Sequence, residues 1–200
     1  WYMHIMNKMI YFILFAVALV FTSCSETSGE QDEFANWKER NDAYFTSIYT
    51  KAKQAADNGD SQWKVIRSYS KKDGSIDCND YIVVEVLAKG AGDVCPLYTD
   101  SVKMHYSGSL IPSVTYTEGL KFDASWTGDY NLLTMQPAKG VVSNFVDGFA
   151  TALMHMKTGD RWRVYMPYTL GYGKSERDNI PAYSTLIFDL TLADVWQARR

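Results

Sequence analysis

Three stretches in the second half of the chain alternate apolar and polar residues, and the stretch between the first two does not. In VKMHYSGSL, residues 102–110, Val102, Met104, Tyr106 and Leu110 fall on one face and Lys103, His105 and Ser107 on the other. RWRVYMP, residues 161–167, sets Trp162, Val164 and Met166 on one side; TLIFDLTLADV, residues 185–195, does so with Leu186, Phe188, Leu190 and Leu192. Side chains of a strand point alternately to its two faces, so each stretch is a strand with one face on a core. Residues 143–156, SNFVDGFATALMHM, change period: Phe145, Phe149, Leu153 and Met156 recur at the spacing of one side of a helix. Lys157-Thr158-Gly159-Asp160 ends it. Together these predict an α+β fold, an antiparallel sheet with one short helix across a face.

Upstream, residues 33–57 place Phe34, Trp37, Tyr44, Ile48 and Ala52 at helical steps before the stop signal Asn58-Gly59. This N-terminal helix is expected to dock its aromatic stripe on the domain. The same stripe could instead hold a partner, so an oligomer through residues 33–57 stays open. Residues 62–70 and 81–88 read as strands parted by the turn KKDGS. The expected division is 33–75 for the helical appendage and first strand, and 76–200 for the main domain. Residues 124–141 and 171–183 are long connections containing Gly and Tyr, and long connections in compact domains tend to be functional.

Residues 10–21, IYFILFAVALVF, are too short a run for a helix to cross a bilayer core of about 30 Å. They have the length of the apolar region of a secretory signal. Ser23 precedes Cys24 and the polar tail SETSGEQDE follows, which resembles a bacterial lipoprotein signal, although Phe21 and Thr22 depart from its usual pattern. The resemblance implies a signal peptide over 1–23 and a tether over 24–32. Lipid on Cys24 would hold the protein to a membrane at the bacterial cell envelope, on the periplasmic side or the outer-membrane surface. An ordinary signal peptide with an incidental cysteine is the alternative. Cys78 and Cys95 would then lie in an oxidising compartment. The strand over 81–88 carries them apart unless the loop folds back, so the sequence leaves their pairing open.

A net charge of -3 over 200 residues argues against nucleic acid, because phosphate binding needs a basic face. His4, His105 and His155 gather around no Cys or carboxylate at ligand spacing. No metal or cofactor is therefore expected, and each histidine is read as a surface or helix-face residue. Lys157, Arg161 and Arg163 read as a solvated strand face. Ser107 and Ser125 lack the G-x-S-x-G setting of a hydrolase, and GYGKSE lacks the spacing of a phosphate loop. The 14 Tyr, 9 Phe and 6 Trp suit either an ordinary core or an aromatic-lined pocket on a sheet.

The stretch GLKFDASW, residues 119–126, bears on that choice. Phe122 and Asp123 are neighbours, so a regular strand would send them to opposite faces and leave Asp123 solvated, whereas a bend would aim both at one cavity. VKMHYSGSL, GLKFDAS, FVDGFATALMHMKTGDRWRVYMPYTLGYG and NIPAYSTLIFDLTLADV occur in order within residues 81–196. This succession resembles the FKBP-type peptidyl-prolyl cis-trans isomerases. The resemblance implies an antiparallel twisted sheet wrapped on one short helix, and an enzyme acting on proline-containing proteins or peptides without a cofactor.

The resemblance also implies a pocket lined by Tyr106, Phe122, Asp123, Phe145, Val146, Phe149, Tyr172, Ile180 and Phe188. Within it Asp123, Tyr172, Val146 and Phe122 would carry the catalysis. The Val146 N–H and the Tyr172 hydroxyl would donate to the substrate carbonyl, with Asp123 hydrogen-bonded to Tyr106 or to backbone. Tyr106, Phe145, Phe149, Ile180 and Phe188 would bind substrate, and Leu132 or Leu133 would supply a further apolar wall. Phe149 stands where the family usually has a tryptophan floor, and the loop KSERDN lacks the histidine often found there. Those two departures favour the alternative, an FKBP-like binding or chaperone module without catalysis, whereas the presence of Tyr106, Phe122, Asp123 and Tyr172 together favours the isomerase more strongly.

Overall fold

A computed structural model describes residues 33–196, so the signal peptide expected over 1–23, the tether expected over 24–32 and Cys24 lie outside the described residues. Helix α1, Trp37–Asp57, starts later than the apolar spacing suggests. Asn36 holds φ 51 and ψ 37, a left-handed conformation that asparagine tolerates and that cannot continue a helix backwards. The helix stops at Asn58, and Gly59 takes φ 84 to turn the chain away.

Seven strands follow among the described residues: β1 Trp63–Arg67, β2 Tyr81–Ala88, β3 Ser101–Ser109, β4 Lys121–Ala124, β5 Ala138–Val141, β6 Arg161–Met166 and β7 Leu186–Trp196. The short helix α2, Asp147–His155, lies between β5 and β6 in sequence. All strand pairs are antiparallel, in the order β1-β2-β6-β7-β3-β4. The free side of β3 is shared end to end by two short strands, β5 along residues 101–104 and β4 along 107–109. The connection expected over 124–141 therefore ends in a strand; AKGV carries no alternation that would have marked it.

The sheet buries both faces. On the inner face Ile82, Val84, Val164, Leu186 and Leu190 pack with Phe149 and Leu153 of α2. Each such side chain removed from water contributes about 1.5–3 kcal/mol, which makes this face the main source of stability. On the outer face α1 sets Phe45 and Ala52 against Val83, Tyr165 and Ile187. The sequence pattern had named Tyr44, which is half-buried, rather than Phe45, which is buried. The apolar stripe of α1 is thus turned onto the chain's own sheet, and Ala43, Thr46, Ser47, Thr50 and Lys51 make up its exposed side. Among the described helices none is long and apolar enough to cross a membrane.

Polar groups fix α1 in register. The Trp37 indole N–H donates to Ser184 Oγ at 2.9 Å, the Asn41 amide donates to Trp37 O at 2.7 Å, and Asn41 Oδ1 accepts from Thr185 N–H at 2.8 Å. Cys78 and Cys95 are free thiols. Two surface expectations are corrected. His105 does sit on the face away from the inner core, but it is only 4% exposed, opposite Thr191, and its Nδ1 has no hydrogen-bond partner among the described residues. Burial holds its pKa below the ordinary 6.5. Arg161 is half-buried and ion-paired with Asp189 at 2.6 Å, its guanidinium 3.7 Å from the centroid of the Tyr130 ring. Tyr130 also shares a hydrogen bond of 2.9 Å with Thr191, so the segment 125–137 closes this end of the outer face.

Candidate active site

The register between β3 and β4 resolves the Phe122–Asp123 question. Gly108 pairs with Asp123 and Ser109 with Lys121, so one step on β3 answers two on β4 and Phe122 is the bulged residue. A bulge locally breaks the alternation and re-aims a side chain. Phe122 and Asp123 consequently line the same cavity. Past the bulge, Ser125 ties the strand end to β3: its N–H donates to Tyr106 O at 2.8 Å and its Oγ accepts from Tyr106 N–H at 3.0 Å.

That cavity holds about 390 Å³ and brings together all nine of the residues named from sequence. Four aromatic rings form its walls and floor at edge-on or tilted angles: Phe149 and Phe188 at 5.0 Å, Phe122 and Phe188 at 5.6 Å, Tyr106 and Phe149 at 6.1 Å. Phe145 adds a fifth ring 5.0 Å from Phe149. Edge-to-face contacts in this range stabilise aromatic clusters beyond simple burial. Gly108 is what lets two of the rings come so close. A Cβ there would stand 2.6 Å from Phe122 and from Phe188.

Polar groups share the lining with the rings. The Tyr106 hydroxyl donates to Asp123 Oδ2 at 2.8 Å. Burial first, and the negative charge it faces second, push the Tyr106 phenol up to about 12, so it remains a donor at neutral pH. Val146 precedes the first turn of α2 in extended conformation, φ -60 and ψ 153, and its N–H has no acceptor among the described residues. The hydroxyl of half-buried Tyr172 likewise has none. Two donors are therefore open beside an apolar cup.

The segment 171–185, which carries Tyr172, forms a further wall of the cavity. Tyr183 N–H closes it on Gly173 O at 3.0 Å, and Tyr183 itself takes φ 63. Ser184 Oγ, which accepts the Trp37 indole, donates to Pro181 O at 2.6 Å, next to cavity-lining Ile180. The sequence had not singled out Asn144, Arg177, Asp178 and Asn179, which also line the cavity. The Asp-Asn pair at 178–179 is a signal that could have found them, since these residues favour the positive-φ turn seen at Asp178, φ 51. Leu132 and Leu133, expected as a further wall, are 55% and 94% exposed and lie outside the cavity lining.

Residues 93–193 match the family model described as FKBP-type peptidyl-prolyl cis-trans isomerase. The chain belongs to this family. Among its relatives, the FKBP-type 22 kDa peptidyl-prolyl cis-trans isomerase of Escherichia coli (strain K12) is 30% identical over 133 residues, 66% of this chain and 58% of the relative. FkpA of the same strain is 30% identical over 143 residues, 72% of this chain and 48% of the relative. The macrophage infectivity potentiator of Trypanosoma cruzi is 32% identical over 115 residues, 57% of this chain and 53% of the relative. The chain thus spans about half the length of the curated relatives it matches. In fold, it superposes on the crystal structure of FkpA from Escherichia coli with a TM-score of 0.54 at 24% identity, covering 82% of this chain and 63% of that one. The α+β sheet-on-helix arrangement expected from sequence is accordingly the FKBP fold.

Proposed function

We propose that this FKBP-family chain is a peptidyl-prolyl cis-trans isomerase that turns X-Pro bonds in proteins of the bacterial cell envelope. The observation that carries the reading is the convergence of nine residues, from Tyr106 to Phe188, on one ring-walled cavity with open donors at its edge. The barrier to be lowered is about 18–20 kcal/mol and arises from loss of amide conjugation, so no nucleophile is required. A planar X-Pro amide is more dipolar than its twisted form. An apolar cup with little water favours the twisted form, and binding of the proline ring among Phe122, Phe149 and Phe188 holds it. Val146 N–H and the Tyr172 hydroxyl hold the carbonyl while the prolyl side rotates. Asp123 fixes the Tyr106 hydroxyl and sets the field at the rim rather than taking a proton. Phe145 and Ile180 flank the bound residues.

Phe149 is smaller than the family's usual floor residue, which favours a second reading, a binding or chaperone module without catalysis. A protease-coupled isomerisation assay separates the two. Wild type is expected to accelerate X-Pro isomerisation, with Tyr172→Phe and Asp123→Ala lowering kcat/KM by about 3- to 10-fold through loss of a hydrogen bond each. Wild-type rates no higher than those of the variants would leave only binding. Lipid on Cys24 belongs to the same proposal; mass spectrometry of the mature N-terminus is expected to find a diacylated cysteine, and a plain cleaved end would remove it.

A further inference from the structure

The turn at the cavity mouth carries a charge that isomerisation does not use. Arg177 N–H donates to Ile180 O and Ile180 N–H to Arg177 O, both at 2.9 Å, so residues 177–180 form a tight two-residue hairpin with Asp178 at φ 51. Residues directly opposite in an antiparallel pair hold their side chains on the same face. Ile180 is 6% exposed and lines the cavity, and Arg177 accordingly lines it too. Its guanidinium lies 5.1 Å from the Tyr172 ring centroid, within the range in which a cation is held over an aromatic face. Arg177 is the one cationic side chain of the cavity lining, and it enters no ion pair among the described residues.

We propose that Arg177 makes the cavity select prolyl substrates with an acidic side chain on the residue immediately before proline. This rests on the isomerase reading, in which the Tyr172 hydroxyl donates to the carbonyl of that residue. Its side chain then lies beside the Tyr172 ring, within reach of the guanidinium. A carboxylate there meets a planar fork of donors already oriented by the ring, while an ammonium meets like charge. Two carboxylates share the cavity lining with Arg177. Asp123 accepts the Tyr106 hydroxyl, and Asp178 also borders a shallower hollow with Glu176 and Lys121. Of these three charges, Arg177 is the one seen over the Tyr172 ring, so it is the charge that a side chain beside that ring meets in contact.

The test uses the full chain and three peptides that differ only in the residue before proline: Glu, Leu or Lys. Wild type is expected to favour Glu over Lys by about fivefold in kcat/KM at low salt, the size of a well-placed exposed ion pair. The ratio shrinks toward one in about 1 M salt. Arg177→Gln brings it to about one, and Arg177→Lys restores part of it. A wild-type ratio of one or less, or a ratio unchanged in Arg177→Gln, overturns the inference while turnover of the Leu peptide keeps the isomerase reading. If no peptide is turned over, that reading fails, and titration of the same peptides decides the remainder: a fivefold Glu preference in affinity that Arg177→Gln abolishes upholds the selectivity, and equal affinities overturn it.

Discussion

The two long connections of this chain, residues 125–137 and 171–185, both contain Gly and Tyr and meet opposite fates. The first closes over the outer face of the sheet, with Tyr130 bonded to Thr191 and lying under Arg161, and Met135 buried. None of it lines the cavity. The second forms a wall of the cavity and is held there from behind by α1, through Trp37 on Ser184 and Asn41 on Thr185. What separates them is the partner that satisfies their polar groups. One is sealed by strand side chains away from the cavity, the other by a helix that leaves its inner side open. Length alone, the signal on which both were expected to be functional, does not distinguish them.

Changes at the anchors should break this contrast, and the largest effect belongs to the cavity wall. Asn41→Ala leaves the Thr185 N–H buried without its acceptor, a loss of about 1–3 kcal/mol. Thermal unfolding should show a midpoint about 2 to 12 °C lower, and steady-state kinetics should show a raised KM with kcat less affected, because the Ile180 wall loosens. An unchanged KM would mean that α1 merely stabilises. Tyr130→Phe should remove only about 1 kcal/mol from stability in denaturant titration and leave kcat/KM as it is; a drop in turnover would show that the outer segment reaches the site after all.

Acid sharpens the comparison further. The folded state keeps His105 neutral below its ordinary pKa, so the unfolded chain takes up the proton first as pH falls past about 6.5. Stability is lost in that window, and above it both states are neutral and the effect vanishes. Unfolding measured at pH 7.5 and 5.5 should therefore cost wild type more than His105→Gln, and equal losses would refute the burial argument. The smallest effect is expected for Leu133→Ser: at 94% exposure the side chain touches little, and stability should stay within about 0.5 kcal/mol.

Alternation and helical period were enough to read the inner core, since Val164, Leu186, Leu190 and Leu153 are placed by local geometry alone. The nine cavity residues became legible only through family resemblance, because Tyr106 and Phe188 are distant in sequence and meet through strand pairing. Three features escaped for physical reasons. β5 is too short and too plain to alternate. Phe45 lies beside the stripe counted from Tyr44, where a small rotation of the helix decides which ring is buried. His105 was correctly assigned its face, but a single strand's pattern contains no information about the segment that covers that face. Arg177 reaches the cavity through a turn that pairs it with Ile180, and KSERDN has no alternation that would mark such a pairing.

Gly108 is a backbone position on which the shape of the whole cavity depends. Adding one methyl group there brings it to 2.6 Å from the edges of Phe122 and Phe188, so both rings must shift and the hollow between them deforms. The outward surfaces of α1 and of segment 125–137 would be left as they are. A Gly108→Ala variant would thus report how far any activity of the cavity depends on the spacing of these two rings, apart from anything those outer surfaces do.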